Sequence, residues 1–475
     1  MSSLMIKINR LWIFAAFSVI YVALSACSHF SLSPPSARRP VTAFVVLGEE
    51  GTQIARALTE EVQCPLIKMD GVSERMEARA PAGTLPPRPR LLAPVAAKPA
   101  AFPILTCEKR LPSKIRRASI DGHPLPLKKA APQRIIVMGD TGCRMQQGGA
   151  GFQACNDSGQ FAFAQVVQLA ARWKPDLVIH VGDYHYRETP CPAGNTGCAN
   201  SPWGYGYDTW REDFFKPADP LLRAAPWVMV RGNHEICARA GQGWWRFLDP
   251  RPLSPGRDCN DPADDQKGDH SDPYAIPIGD NMQLIVLDSS NTSNKKIKPD
   301  DIRFHQYRTL YTQLETLAQR AQHNMVLLHH PLLGFVGNYP NPNDLAHPLP
   351  ENIGLQSVFR MLNPHLLPSN IDLVMSGHVH LFEQLSFSTA HPSQFVVGIS
   401  GSQLETVPVP ATLAPDITPA AGARVKNFDV WTGFGYMTME RIRSSEWDVQ
   451  VWNSAGQPVR KCRIVGRVSH CEAVQ

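Results

Sequence analysis

Residues 176–186 read DLVIHVGDYHY. The first half, Leu177-Val178-Ile179-His180-Val181, is an apolar run bounded by Pro175 and Gly182, the pattern of a buried strand. The second half sets two hard oxygen donors, Asp183 and Tyr186, just past that strand's carboxyl end. Open α/β sheets place ligand sites in that crevice. A carboxylate beside a phenol there suggests a cation.

Working outward, four more apolar runs end the same way. Ile135-Ile136-Val137-Met138 leads into Gly139-Asp140-Thr141-Gly142, and Trp227-Val228-Met229-Val230 into Gly232-Asn233-His234-Glu235. Residues 325–328 end at His329-His330-Pro331, and residues 371–375 at Gly377-His378-Val379-His380. Residues 161–173, 301–320 and 355–362 carry helical spacing between them. This alternation predicts an α/β layered fold. One Gly-Asp is ordinary turn chemistry. Five donor-bearing strand ends in series point to a shared site. Oxygen and imidazole donors suit iron, zinc or manganese. Seven side chains (Asp140, Asp183, Tyr186, Asn233, His329, His378, His380) exceed one ion's needs and suit two ions sharing a bridge.

The series GDTG (139–142), GDYHY (182–186), GNHE (232–235), VLLH (326–329) and GHVH (377–380) resembles the five motifs of the calcineurin-like metallophosphoesterases, in order. Most of that superfamily has Asp-x-His in the first motif. Here Thr141-Gly142 follows Asp140, and Tyr186 stands in the second motif, an exchange that resembles the purple acid phosphatase branch. The resemblance implies an α/β fold, a metallophosphoesterase β-sandwich flanked by helices. It assigns Asp140, Asp183, Tyr186 and His380 to one metal, and Asp183, Asn233, His329 and His378 to the other, with Asp183 bridging. It implies Fe(III) on the Tyr186 side and Fe(II), Zn(II) or Mn(II) on the other. Such ions sit about 3.5–4 Å apart and lower the pKa of a bound water, so a metal-bound hydroxide would attack phosphorus in line.

His234 matches the family's substrate-facing histidine and is the expected catalytic acid; a histidine there can also serve only to orient a ligand. His330 and His185 are candidate substrate contacts. Glu235 is expected to support His234. Trp203, Tyr205, Tyr207 and Trp210 read as loop packing, or as a stacking wall for a leaving group.

The 475-residue chain is 43% hydrophobic and 19% charged, ordinary globular usage for one large domain and an accessory one. A net charge of +5 is small for this length, so no nucleic-acid partner is inferred from it. Lys7 and Arg10 precede an apolar run over 11–23, the form of a signal peptide. Leu24-Ser25-Ala26-Cys27 resembles a bacterial lipobox. Residues 1–26 would then be removed, and lipid on Cys27 would hold a periplasmic or cell-surface protein to a membrane. Residues 27–40 read as a tether. Residues 41–130 read as a small accessory domain with a Pro/Ala-rich linker and a helix over 52–62. Residues 131–475 read as the metallophosphoesterase domain.

Of eleven cysteines, ten remain after Cys27. Pairing neighbours would join Cys64 with Cys107, Cys143 with Cys155, Cys191 with Cys198, Cys237 with Cys259 and Cys462 with Cys471. Disulfides in an oxidising compartment fit better than a zinc-thiolate site, because no Cys-x-x-Cys occurs. The expected activity is phosphomonoester hydrolysis. A phosphodiesterase or nucleotide hydrolase on the same centre, or a non-catalytic metal-binding surface lipoprotein, are the alternatives. Residues 41–130 could form a substrate-capture module under either.

Overall fold

Two sheets lie at the centre of the computed structural model, which describes residues 42–88, 97–147 and 151–474. Cys27, the signal peptide and the tether lie outside the described residues.

The larger sheet runs Val468–Ala473, Pro458–Val465, Glu446–Asn453, Gly435–Arg443, Arg134–Met138, Leu177–His180, Trp227–Met229, Thr42–Leu47, Gln53–Thr59, Leu105–Arg110 and Glu77–Ala80. The smaller runs Tyr274–Pro277, Met282–Val286, His323–Leu327, Ile371–Ser376, Ser393–Val397, Phe382–Phe387 and Val425–Trp431. The middle strands of both are parallel. Val137 pairs with Ile179 and Ile179 with Val228; Leu284 pairs with Met325 and Met325 with Leu373.

Side chains alternate across these strands. Val137, Ile179 and Val228 meet Leu284, Met325 and Leu373 in one core between the sheets. The alternate residues Ile136, Val178 and Trp227 face outward, onto Phe163, Val166, Val167 and Ala170 of the helix Phe163–Arg172. On the other sheet Ile285, Val326 and Val374 face Leu310 and Leu314 of Ile302–Ala318 and Val358 and Phe359 of Ile353–Leu362. Both faces of each strand are therefore apolar, which explains the unbroken hydrophobic runs. Burying each such side chain contributes about 1.5–3 kcal/mol. Asp301 and Asn352 start the last two helices by accepting the N–H groups of Arg303 and Leu355. The result is a helix–sheet–sheet–helix sandwich, the α/β layering that the alternation predicts and the sandwich that the family resemblance implies.

Residues 41–130 depart from expectation. They do not stand apart as an accessory domain. Thr42–Leu47 pairs parallel with Trp227–Met229, with Val46 opposite Trp227, and three further strands extend the same sheet. An open sheet edge offers unpaired N–H and C=O groups that these strands satisfy. Two buried arginines fasten the join: Arg56 donates to the carbonyls of Phe247 (3.1 Å) and Asp249 (2.6 Å), and Arg79 to that of Trp245 (2.6 Å). The helix expected over 52–62 is the strand Gln53–Thr59, buried along its whole length. Ile54, Ala57 and Leu58 have helical spacing, but strands on both sides supply backbone partners that override it.

All five neighbour disulfides are present. Among the described residues no helix is long and apolar enough to cross a membrane.

Candidate metal centre

The five donor-bearing turns follow Arg134–Met138, Leu177–His180, Trp227–Met229, His323–Leu327 and Ile371–Ser376. Parallel strands bring all five turns to one end of the sandwich. Three donors sit on left-handed backbone: Asp140 (φ 56°), Asp183 (φ 59°) and His378 (φ 71°). Non-glycine residues seldom adopt this conformation, and it clusters at functional sites. The chain packs tightly here. A Cβ at Gly232 would collide with the Asp183 carboxylate, and one at Gly182 with the His329 ring.

Two buried carboxylates hold the turns. Glu235 accepts the N–H groups of Gly232 (3.1 Å), Asp183 (3.1 Å), Tyr184 (2.9 Å) and His185 (3.2 Å). It thus braces the second motif, where the sequence reading had it supporting His234. Burial and the nearby Asp183 push its carboxyl up to about 8. Asp213 accepts from Cys143 N (3.0 Å), Tyr186 N (2.7 Å), Arg187 N (3.1 Å) and Arg187 Nε (2.7 Å), tying the first motif to the second.

The seven predicted donors converge in two groups. The Tyr186 hydroxyl lies 2.9 Å from Asp140 Oδ1, 2.8 Å from Asp183 Oδ2 and 2.8 Å from His380 Nε2. Asn233 Oδ1 lies 3.0 Å from His329 Nε2 and 2.9 Å from His378 Nδ1, and His329 Nε2 lies 3.1 Å from Asp183 Oδ2. Asp183 belongs to both groups.

The hydrogen-bond chemistry fits metal. His329 Nδ1 donates to Val181 O (2.8 Å), and His380 Nδ1 donates to Gln403 O. In the neutral ring this leaves Nε2 as a bare lone pair. His329 Nε2 then faces a carboxylate and an amide oxygen, while His380 Nε2 faces Asp140 at 3.2 Å and accepts from the Tyr186 hydroxyl at 2.8 Å. At His329 the lone pairs aimed at one another require positive charge between them. Without it, burial opposes ionisation of Asp183, yet His329 and His234 hold its carboxyl well below the usual range. Burial also opposes protonation of His329, but Asp183 more than offsets this and raises it to about 10. Burial, then Asp140 and Asp183, push the Tyr186 phenol well above its ordinary value. A phenolate there therefore calls for a cation.

His234 lies beside the donors, its ring 3.8 Å from that of Tyr186. Burial and the Arg239 guanidinium lower it to about 3. Arg239 Nη2 sits 2.6 Å from His234 Nδ1, while its Nε donates to Glu188 (2.6 Å). His330 is buried, with its ring 4.1 Å from that of His378. His185 is not brought to the centre. It is fully buried, bonded to Thr209 Oγ1 (2.9 Å) and set against Tyr205 and Trp210, which corrects its reading as a substrate contact. Trp210 is fully buried against Phe247, and Lys98 covers the Trp203 ring, so the aromatic loop is packing.

Four nearby residues escaped the sequence reading: Arg144, Glu188, Arg239 and Glu351. Glu351 Oε1 lies 3.3 Å from His378 Nε2. Motif spacing carries no signal for it, because it comes from a connection outside all five motifs. Arg144 and Arg239 lie two residues beyond their motifs' last position or further, where only proximity reveals them.

A parallel-stranded sandwich with this donor set at its strand ends defines a metal-dependent phosphoester hydrolase. The chain belongs to the calcineurin-like phosphoesterases: residues 133–382 match the model of that family. No curated protein matches in sequence. Among solved structures, the fold is similar to a purple acid phosphatase isolated from yellow lupin (Lupinus luteus) seeds, at 16% identity and a TM-score of 0.54, covering 92% of this chain and 74% of that one. It is also similar to PhoD, at 14% identity and a TM-score of 0.50, covering 93% and 94%.

Proposed function

We propose that this chain hydrolyses phosphate monoesters at a centre of two metal ions. Asp140, Tyr186 and His380 hold one ion; Asn233, His329 and His378 hold the other; Asp183 bridges them. The observation that carries the reading is the confrontation at His329 Nε2, whose lone pair faces Asp183 Oδ2 at 3.1 Å and Asn233 Oδ1 at 3.0 Å and which only positive charge relieves. The phenol in the donor set favours Fe(III) on its side, as in the purple acid phosphatase branch, with Fe(II), Zn(II) or Mn(II) on the other.

The ions would supply Lewis acidity toward phosphate and acidify water. The chain supplies the rest. Glu235 and Asp213 keep the donor turns from relaxing. His234, neutral at working pH, lies 3.8 Å from Asp183 Oδ2 and would offer a hydrogen bond to the leaving oxygen. Arg239 would keep that ring in place.

The test is purification without added metal, elemental analysis, a visible spectrum, and turnover of p-nitrophenyl phosphate. Two ions per chain, a phenolate-to-iron absorption band and turnover are expected. Iron without colour would refute the Tyr186 assignment. Turnover of diesters alone would refute the monoesterase reading.

Export and lipidation complete the proposal. Removal of residues 1–26, lipid on Cys27 and a tether over 27–40 would place the catalytic unit on a periplasmic or surface membrane. The five disulfides support an oxidising compartment. Metabolic labelling with palmitate should mark the wild type and not Cys27→Ser; equal labelling would refute it.

A further inference from the structure

Arg144 follows the first motif directly after Cys143. Its guanidinium covers the Tyr186 ring, 5.0 Å from the centroid, with Nη2 3.4 Å from His380 Nε2. Other arginines around the centre have carboxylate partners: Arg187 has Asp213 (2.7 Å), Arg239 has Glu188 (2.6 Å) and Arg231 has Asp269 (3.1 Å). Arg144 forms no ion pair among the described residues, and its side chain is only partly buried.

Its stem is fixed. Cys143 is bonded to Cys155. Arg144 N donates to Gln153 Oε1 (2.9 Å), and Gln153 N donates back to Arg144 O (2.8 Å). The same Gln153 Oε1 accepts from Gln403 N (3.0 Å), and Gln403 O holds His380. A positive group has thus been anchored, uncompensated, next to a cation site. Like charges at such range repel unless an anion lies between them. The planar fork of a guanidinium matches two oxygens of a phosphate.

Resting on the hydrolase reading above, we propose that Arg144 selects a phosphate monoester over a diester. A monoester dianion keeps three unesterified oxygens; a diester monoanion keeps two. The extra oxygen and the extra charge find a partner only where the site offers one more cation, and Arg144 is that cation.

The test compares wild type, Arg144→Gln and Arg144→Lys on p-nitrophenyl phosphate and bis(p-nitrophenyl) phosphate, with metal content checked in each. Arg144→Gln should lower kcat/KM for the monoester about 10- to 100-fold, the effect of one charge-assisted contact. It should change the diester less than about threefold, and Arg144→Lys should restore part of the monoester rate. Equal loss on both esters, or no loss on the monoester, overturns the assignment. Calorimetry with inorganic phosphate on the metal-loaded protein reads the contact without turnover. Unchanged Kd in Arg144→Gln overturns the proposal even if the wild type cleaves neither ester, an outcome that would separately sink the hydrolase reading.

Discussion

The Tyr186 hydroxyl lies 2.8 Å from Oδ2 of Asp183, three residues earlier in the chain. The turn that brings them together is stapled from both sides, by Glu235 on the N–H groups of residues 183–185 and by Asp213 on that of Tyr186. In the proposed centre this one short stretch would supply both the bridging ligand and the phenol that favours Fe(III).

Tyr186→Phe should therefore keep the fold and the second ion but lose iron and the visible band. Asp183→Asn should lower turnover by on the order of 10²–10³-fold or more and deplete both ions. Elemental analysis with spectra separates the two patterns. Full turnover in Asp183→Asn would remove the bridging role.

His378 differs from the other two histidine donors. His329 and His380 lean on backbone carbonyls, whereas His378 Nε2 meets the Glu351 carboxylate at 3.3 Å. Such a partner orients the ring and raises its basicity. Glu351→Gln should weaken metal at the second position about 10- to 100-fold. Chelator competition measures this directly, and an unaltered affinity would show Glu351 to be a bystander.

Asp213 is fully buried with Arg187 and serves four donors. Asp213→Ala should cost about 3–5 kcal/mol, the usual effect of stripping one member from a buried pair. Urea unfolding reads the loss. A change under 1 kcal/mol, on the order of a surface pair, would mean the clamp is dispensable.

Glu383, on the strand Phe382–Phe387, titrates far from its normal range. Burial pushes its carboxyl up to about 8, against the Phe335 N–H that it accepts at 3.1 Å. Unfolded, it ionises near 4.5. Between these values the folded chain keeps a proton that the unfolded chain releases, so stability falls as pH rises through that window. Glu383→Gln removes this dependence. Its Tm should exceed the wild type by roughly 1–3 °C at pH 8 and match it near pH 4. A constant difference across pH would refute the titration.

The chain's motifs pointed to the seven side chains that converge at the strand ends because each sits close beyond a buried strand, and both signals are local. Phe163–Arg172, Ile302–Ala318 and Ile353–Leu362 were legible for the same reason, as periodic apolar faces. Pairing each cysteine with its neighbour in sequence matches all five disulfides, at separations from 7 to 43 residues, although cysteine spacing alone does not dictate connectivity. Residues 41–130 were misread because a strand's fate depends on which edge it finds. On one side Thr42–Leu47 pairs with the adjacent Gln53–Thr59, but on the other its partner is Trp227–Met229, far along the chain.

Sequence by itself determined the layered fold and the family and nominated the donor set, since apolar runs, turn glycines and ligand types are written residue by residue. Tertiary structure alone decided what surrounds those donors. It put Glu351 behind His378, turned His185 into the protein beside Thr209, and left Arg144 over Tyr186 without a carboxylate partner among the described residues. Charge compensation depends on distances between side chains from separate turns, and a linear chain carries no record of them until the sheets pack.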